Sequence, residues 1–451
     1  MANFSEKIKN NKFVKTMSNI WKIEDLRTRL LITLMFVAVY RFGSHIALPG
    51  VNINALAALE NQTADGLMSL LDMFSGGAFS KASIFALGIM PYITASIVMQ
   101  LLGLVVPYFQ KMQREGESGR RKMNQYTRYL TVLVLILQAP SYLVNLRITT
   151  QGAAVYDSIG WTVWFYVCST IILAAGSMFI LWLGERITDK GIGNGVSIII
   201  MIGIIARLPQ AFTQEFISRL ESGNGGLIVL LLEIVIWLGV MAAAILLVQG
   251  TRRVPVQYAK RVVGNRQYGG ARQYIPLKPY AANVMPIIFA QAIMFIPITV
   301  AGFVSGGTSP FLQKLMDNTG WLYNLIFAIL IILFTYLYTA ITINPRQMAE
   351  DMKRNNGFIP GVKPGKSTAD FLDRIMDRIT LPGSLFLALI AVLPAFADLF
   401  GVQREFAQFF GGTSLLILVG VVLDTLQQIE SHLLMRHYDG LLETGRIRGA
   451  H

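Results

Sequence analysis

The sequence predicts an all-α polytopic membrane protein, with ten transmembrane helices in two inverted halves of five. Three observations carry that expectation. The 451 residues are 53% hydrophobic and only 14% charged, with a mean hydropathy of +0.52. A soluble chain of this length needs a more polar surface. Apolar windows are centred near residues 35, 93, 137, 173, 201, 238, 292, 332, 390 and 421. Basic residues collect in every second connection: 32 of the 39 Lys and Arg fall in the segments that are cytoplasmic if the N-terminus is. Lys and Arg in excess mark cytoplasmic loops, so both ends are placed in the cytoplasm. The net charge of +13 is thus mostly a record of topology.

The elements follow in order. Residues 1–22 carry Phe4, Ile8, Phe13, Met17, Ile20 and Trp21 at roughly helical spacing among lysines. Two readings fit: a helix lying on an anionic membrane face, or a solvated helix. The segment lacks the apolar core and small-residue cleavage site of a signal peptide. The first span ends at Arg41. The stretch GLMSLLDMFSGG, at 66–77, holds an apolar cluster, one acid and a Gly-Gly end. A crossing takes ~20 apolar residues, and this stretch has about half that. By itself it reads as an interfacial helix tethered before the second span, which is expected from about Ala82 to Gly103. Pro91 lies inside that span, with Thr94, Ser96 and Gln100 after it.

The fifth span is short and begins at GIGNG, residues 191–195. No strand precedes this glycine run and an apolar helix follows, so it reads as a flexible start to a helix rather than a phosphate loop. The outer loop 209–226 separates two sets of five spans. An odd number of spans returns the second set inverted, with a functional route between the two. The halves run 23–217 and 218–432, with cytoplasmic loops 250–281 and 343–381 in the second and a tail at 433–451. Pro286 and Pro297 flank the seventh span around Gln291, and the ninth, LPGSLFLALIAVLPAF, is short. Freed backbone groups in lipid need partners in neighbouring helices or a wet cavity, so these helices are expected to line an interior route. Ordinary packing through small and polar residues is the other reading.

Composition excludes several functions. The single cysteine, Cys168, rules out a disulfide within the chain. His45, His432, His437 and His451 lack metal-ligand spacing. Candidate charges near mid-membrane are few: Glu233 and Asp424 within spans and Arg41 at the end of the first, with Glu185 and Glu430 near cytoplasmic ends. That is no proton relay. Neither a nucleotide motif nor a catalytic set is present, so the chain is expected to be no enzyme and to need no cofactor. A passive channel and an inverted-repeat secondary transporter of a small solute remain. Scarce mid-membrane charge and long basic loops argue against the transporter.

Six motifs carry a resemblance. They are LDMFSGGAFSKASIFALGIMPYITASIVMQLL (71–102), EGESGRRKMNQYTRYL (115–130), GERITDKGIGNGVSIII (184–200), RRVPVQYAKR (252–261), NGFIPGVKPG (356–365) and GGTSLLI (411–417). In this order they resemble the SecY family, the large subunit of the Sec protein-translocation channel, from about Arg41 to His437. The GESGRRK form is similar to bacterial members. The resemblance implies a clamshell hinged at the loop between spans five and six, around a central hourglass pore. It implies a plug at 66–77 (Gly66, Leu67, Leu70, Leu71, Met73, Phe74, Gly76 and Gly77) whose Gly-Gly end absorbs the backbone change of opening.

It further implies a pore ring of Ile89, Ile93, Val196, Ile200, Met285, Ile288 and Ile417. An apolar ring excludes water and ions, yet offers a passing chain no sticky site. Met285 stands where the family more often has isoleucine, and its flexible apolar side chain keeps a seal. The implied lateral gate is Thr94, Gln100, Asn194, Ala292 and Ile296. Through it an apolar segment leaves for lipid, gaining ~0.8 kcal/mol per buried methylene. Arg252, Arg253, Lys260, Arg261 and Lys363 are the implied contacts to the ribosome and the SecA motor. Lys363, in PGVKPG, replaces the family's usual arginine and loses the forked donor. Setting topology is the other reading of this charge. Implied partners are SecE, SecG, SecA, the ribosome, signal sequences, nascent chains and membrane lipids. The implied place is the bacterial inner membrane, with energy supplied by the ribosome or an ATPase.

Overall fold

The computed structural model describes residues 23–56, 72–156, 159–221, 226–258, 261–263, 266–268, 272–278, 285–291, 293–294 and 320–444. Seven described helices are long and apolar enough to cross a membrane. They include Glu117–Thr149, Val163–Lys190, Gly195–Glu221, Gly226–Gln249, Trp321–Thr342 and Lys366–Leu399, and the last is Gly412–Thr444. Met90–Gly103 and Pro107–Gln113 make an eighth crossing if taken together, bent by 100°. The bend has a local cause. Val106 precedes Pro107 and is extended, at φ −96° and ψ 118°, because the proline ring disfavours the helical region for its predecessor.

Helix Glu24–Gly43 supplies the first expected span; Glu24 and Asp25 sit in its first turn and Arg41 in its last, each sign matching the helix dipole. The window at 292 is flanked by helical residues 285–291 and 293–294, and the rest of that span, with Pro297, lies outside the described residues. Helix Gly226–Gln249 carries a single ionisable residue, Glu233, and only 17% of its apolar window is buried.

Several sequence expectations need correction. The second span does not run helically from Ala82. Residues 75–89 form successive turns, and helix begins at Met90. Hydropathy alone cannot distinguish a buried turn from a buried helix. Pro91 therefore sits in the first turn, where its missing N–H costs nothing, and not inside a helix. The fifth and ninth spans are not short: their helices have 27 and 34 residues, because polar turns continue the apolar cores. The glycine run 191–195 is closely packed and hydrogen-bonded rather than an open loop. A Cβ on Gly195 would strike the carbonyl of Gly184, and one on Gly191 would strike Thr33. Its backbone is held by Thr33 Oγ1 on Ile192 N–H (3.2 Å), Gln428 Oε1 on Gly193 N–H (2.9 Å) and Thr188 Oγ1 on Gly195 N–H (2.8 Å).

The chain forms two compact units, Met1–Pro209 with Val421–His451, and Gln210–Gly420. In the first, segments 46–56 and 78–86 pack with helices Glu117–Thr149 and Val163–Lys190 around Leu48, Phe79, Ala139, Leu143 and Leu173. Gly176 admits the carbonyl of Ile84 where a Cβ would collide, so small residues set the depth of that packing.

In the second unit the basic loops are folded. Strand β1 (Arg252–Tyr258) is followed by β2 (Arg261–Val263), β3 (Arg266–Tyr268), β4 (Arg272–Leu277) and later β5 (Gly357–Phe358). They form a three-stranded antiparallel sheet in the order β4-β1-β5 and a separate β2-β3 hairpin. Val254 and Val256 point inward while Arg253 and Pro255 point out, the alternation of a half-buried strand. Their core is shared with Leu277, Met352, Ile359 and Leu372, so residues of both loops bury one another.

Candidate functional site

The positions implied for the ring divide between the units. Ile89, Ile93, Val196 and Ile200 belong to the first, and Met285, Ile288 and Ile417 to the second. The carbonyl of Ile89 accepts from the N–H groups of Tyr92 and Ile93, both at 3.1 Å, so Ile89 opens the second-span helix with Ile93 one turn on. Ile89 and Ile200 are buried, while Ile93 and Val196 are half-buried. In the second unit Pro286, Ile287, Phe289 and Ala290 are buried, whereas Met285 and Ile288 are only half so. Spaced by three, these two mark the less buried face of their helix. Ile417 is buried.

Of the plug stretch, Gly66, Leu67, Leu70 and Leu71 lie outside the described residues. Its remainder is deeply set, with Met73, Phe74, Gly76 and Gly77 all buried. Gly76 and Gly77 have φ of +66° and +86°, a region that favours glycine. They are not a loose end. Arg41 donates to the carbonyl of Gly76 (2.9 Å) and Tyr40 Oη to that of Ser75 (3.1 Å). Gly77 N–H reaches back to the carbonyl of Asp72 (2.8 Å). Gly203 lets the segment lie close, since a Cβ there would sit 2.8 Å from the carbonyl of Phe74.

The gate positions are partly described. Thr94 Oγ1 donates to the carbonyl of Met90 (3.1 Å) and Gln100 to Ser96 Oγ (3.4 Å). Both bonds are within one helix. Asn194 accepts from Val196 N–H (3.1 Å), the side-chain oxygen capping the fifth-span helix. Ala292 and Ile296 lie outside the described residues, as does Lys260. Arg252 and Arg253 are exposed on β1, and Arg261 opens β2 opposite Tyr268. Lys363 is exposed between Gly361 and Gly365, whose φ angles are +85° and +101°. Its carbonyl accepts from Thr368 Oγ1 (2.9 Å).

Two charged clusters were not singled out from the sequence. Asp72 is 1% exposed and forms an ion pair with Arg207. Its Oδ1 also accepts Ser80 N–H (2.8 Å), and Arg207 donates to Ser80 Oγ (3.2 Å). In the second unit, Arg219 donates to Glu215 (2.7 Å), Glu233 (2.5 Å) and the carbonyl of Gly401 (2.8 Å). Glu215 also accepts Gln403 N–H (2.7 Å). The signal for the first was present: one acid in a short apolar stretch, and two basic residues, Arg41 and Arg207, outside the cytoplasmic tally. At the surface, His45 Nδ1 lies 3.3 Å from Lys81 Nζ. Partial burial, then Lys81 and Arg41, hold its pKa below the ordinary value of 6.5.

Among the described residues no group of three His, Cys, Asp or Glu could hold a metal. Helices this long and apolar place the chain among polytopic membrane proteins. Comparisons narrow that class. A family model for SecY matches residues 83–426. "Protein translocase subunit SecY" of Thermotoga maritima is 41% identical over 447 residues, 96% of this chain and 99% of its own. The same-named proteins of Streptomyces scabiei and Halalkalibacterium halodurans are 44% and 43% identical, over 94% and 95% of this chain and 98% and 100% of theirs. A solved structure described as "The structure of a protein conducting channel" has a TM-score of 0.58 at 17% identity, covering 94% of this chain and 95% of its own. That likeness concerns the fold. The chain belongs to the SecY family.

Proposed function

We infer that the protein is the pore-forming subunit of a Sec translocon: a passive channel that exports unfolded preproteins and releases apolar segments sideways into lipid. The observation that carries this reading is the SecY match over residues 83–426, supported by near-full-length relatives. It is a channel protein and not an enzyme. In this reading the seven ring residues form a yielding apolar waist, residues 66–77 its plug, and spans two and seven its lateral gate. The five-plus-five halves are the moving parts. Both termini are cytoplasmic, in a bacterial inner membrane. SecE and SecG are the small partners, and SecA or the ribosome drives transport.

The shared core beneath β1 supports the docking role, because it holds Arg252 and Arg253 outward on a rigid element. Guanidinium groups suit ribosomal RNA phosphates, and such binding weakens steeply with salt. A transporter finds no support. Glu233 is engaged by Arg219, and Asp424 is exposed.

The test is crosslinking. A photoreactive residue at Ile93 or Ile288 should capture a stalled secretory chain in the assembled complex. The same probe at Ile228, which is 83% exposed on the lipid-facing span Gly226–Gln249, should not. Capture from Ile228 alone would overturn the assignment of the waist.

A further inference from the structure

Residues 72–80 are buried and tied down by side chains. All nine positions are buried in the first unit, yet only 72–74 are helical. The rest is held by side chains. Ser75 Oγ donates to the carbonyl of Asp72 (3.0 Å) and accepts from Phe79 N–H (3.0 Å). Tyr142 Oη donates to the carbonyl of Phe79 (2.9 Å). At the centre, Asp72 accepts from Ser80 N–H and pairs with Arg207, which also binds Ser80 Oγ. One carboxylate and one guanidinium thus close the segment on itself and tie it to the fifth-span helix.

A buried carboxylate is stable only while its partner stays. Asp72 is 1% exposed at its side chain, whereas Arg207 is 16% exposed and has a route to water. The pair therefore has two states: closed, or open with both groups hydrated. Residues 72–77 cannot leave their seat without taking Asp72 from Arg207.

We propose that the Asp72–Arg207 ion pair is a latch that sets how strong an apolar signal must be to open the channel. The proposal rests on reading 66–77 as a plug. The free energy of opening comes from burying an apolar segment in lipid, which scales with its length. A latch adds a fixed cost, so short or interrupted signals fail and long ones pass. Asp72 and Arg207 are then determinants of substrate specificity, though neither lies in the ring.

The test uses the full chain in its assembled complex, in cells and in proteoliposomes. A reporter with a shortened apolar signal core is compared with the same reporter bearing an intact one. Asp72→Asn keeps an acceptor for Ser80 N–H and replaces the charged oxygen facing Arg207 with a neutral NH2. Arg207→Gln removes the partner. Each should raise the ratio of weak-signal to intact-signal export about tenfold, equivalent to about 1.4 kcal/mol. The double variant should match the single ones rather than multiply them, because each change breaks the same pair. Arg207→Lys keeps the charge and should stay near the parent, which separates ion pairing from packing. Deleting 66–77 should raise resting ion conductance. If the deletion leaks but both single variants keep the parent ratio, the latch is overturned and the plug stands. Multiplying effects in the double variant also overturn it. If the deletion does not leak, the plug reading itself fails and the latch falls with it.

Discussion

Arg207 and Arg219 lie on one helix, Gly195–Glu221, and solve opposite problems. Arg207 meets a single buried carboxylate brought to it by a non-helical segment. Arg219 meets two carboxylates, Glu215 on its own helix and Glu233 on Gly226–Gln249. Its cluster is sealed, with side-chain exposures of 9%, 0% and 6% for Arg219, Glu215 and Glu233. Between the two arginines stands Pro209, inside the helix, where the compact units divide. In the first cluster the guanidinium of Arg207 meets the carboxylate of Asp72 and also holds Ser80, and the ion pair can open into two hydrated ions. The second holds one cation against two anions, and opening it strands like charges together. Buried charge thus serves release in one place and bracing in another.

The largest effect should come from Arg219→Ala. Two buried carboxylates then face each other without a cation, and breaking a buried pair costs about 3–5 kcal/mol. Thermal unfolding of the solubilised protein should show that loss. Arg207→Ala should cost less, because it strands one buried carboxylate rather than two that face each other. Equal losses would break the distinction between latch and brace.

A smaller effect is expected from Glu233→Gln. Glu233 Oε2 is buried with no hydrogen-bond donor among the described residues. The amide removes the surplus negative charge and can keep the bond from Arg219, so stability should stay within ~1 kcal/mol of the parent or rise. A loss as large as that of Arg219→Ala would mean the second carboxylate is needed as an anion, and the brace would have to be described differently.

The spans were legible in the sequence because lipid leaves long apolar windows and topology leaves a tally of lysines and arginines. What stayed hidden has specific causes. Residues 75–89 are as apolar as a helix, and only the left-handed backbone of Gly76, Gly77, Ala82 and Gly88 reveals the turns. In β1 the alternation of Val254 and Val256 with Arg253 and Pro255 was readable, but it spans too few residues to stand out beside the charges. GIGNG contains the residues of a loose loop; its tightness comes from Thr33, Thr188 and Gln428, which no local pattern points to. The ring residues differ from other apolar residues only in which side of a helix they occupy. Met285 and Ile288 show that side only once their buried neighbours are known.

The smallest effect concerns the sign of the surplus charge. Around the latch the excess is positive, with Arg41 on Gly76 and Arg207 against the single Asp72, and with Lys81 next to Ser80 in the chain. Around the brace it is negative. His45 reports on the first, since its pKa is lowered by partial burial and then by Lys81 and Arg41. A lowered histidine favours the folded state while neutral. Its contribution is complete above the ordinary value of 6.5 and is lost as the pH falls through the lowered folded value. Histidine-selective NMR should therefore find His45 titrating below that value. In Lys81→Met the titration should move back toward it, because one of the repelling cations is gone. An unmoved titration would assign the shift to burial rather than to Lys81.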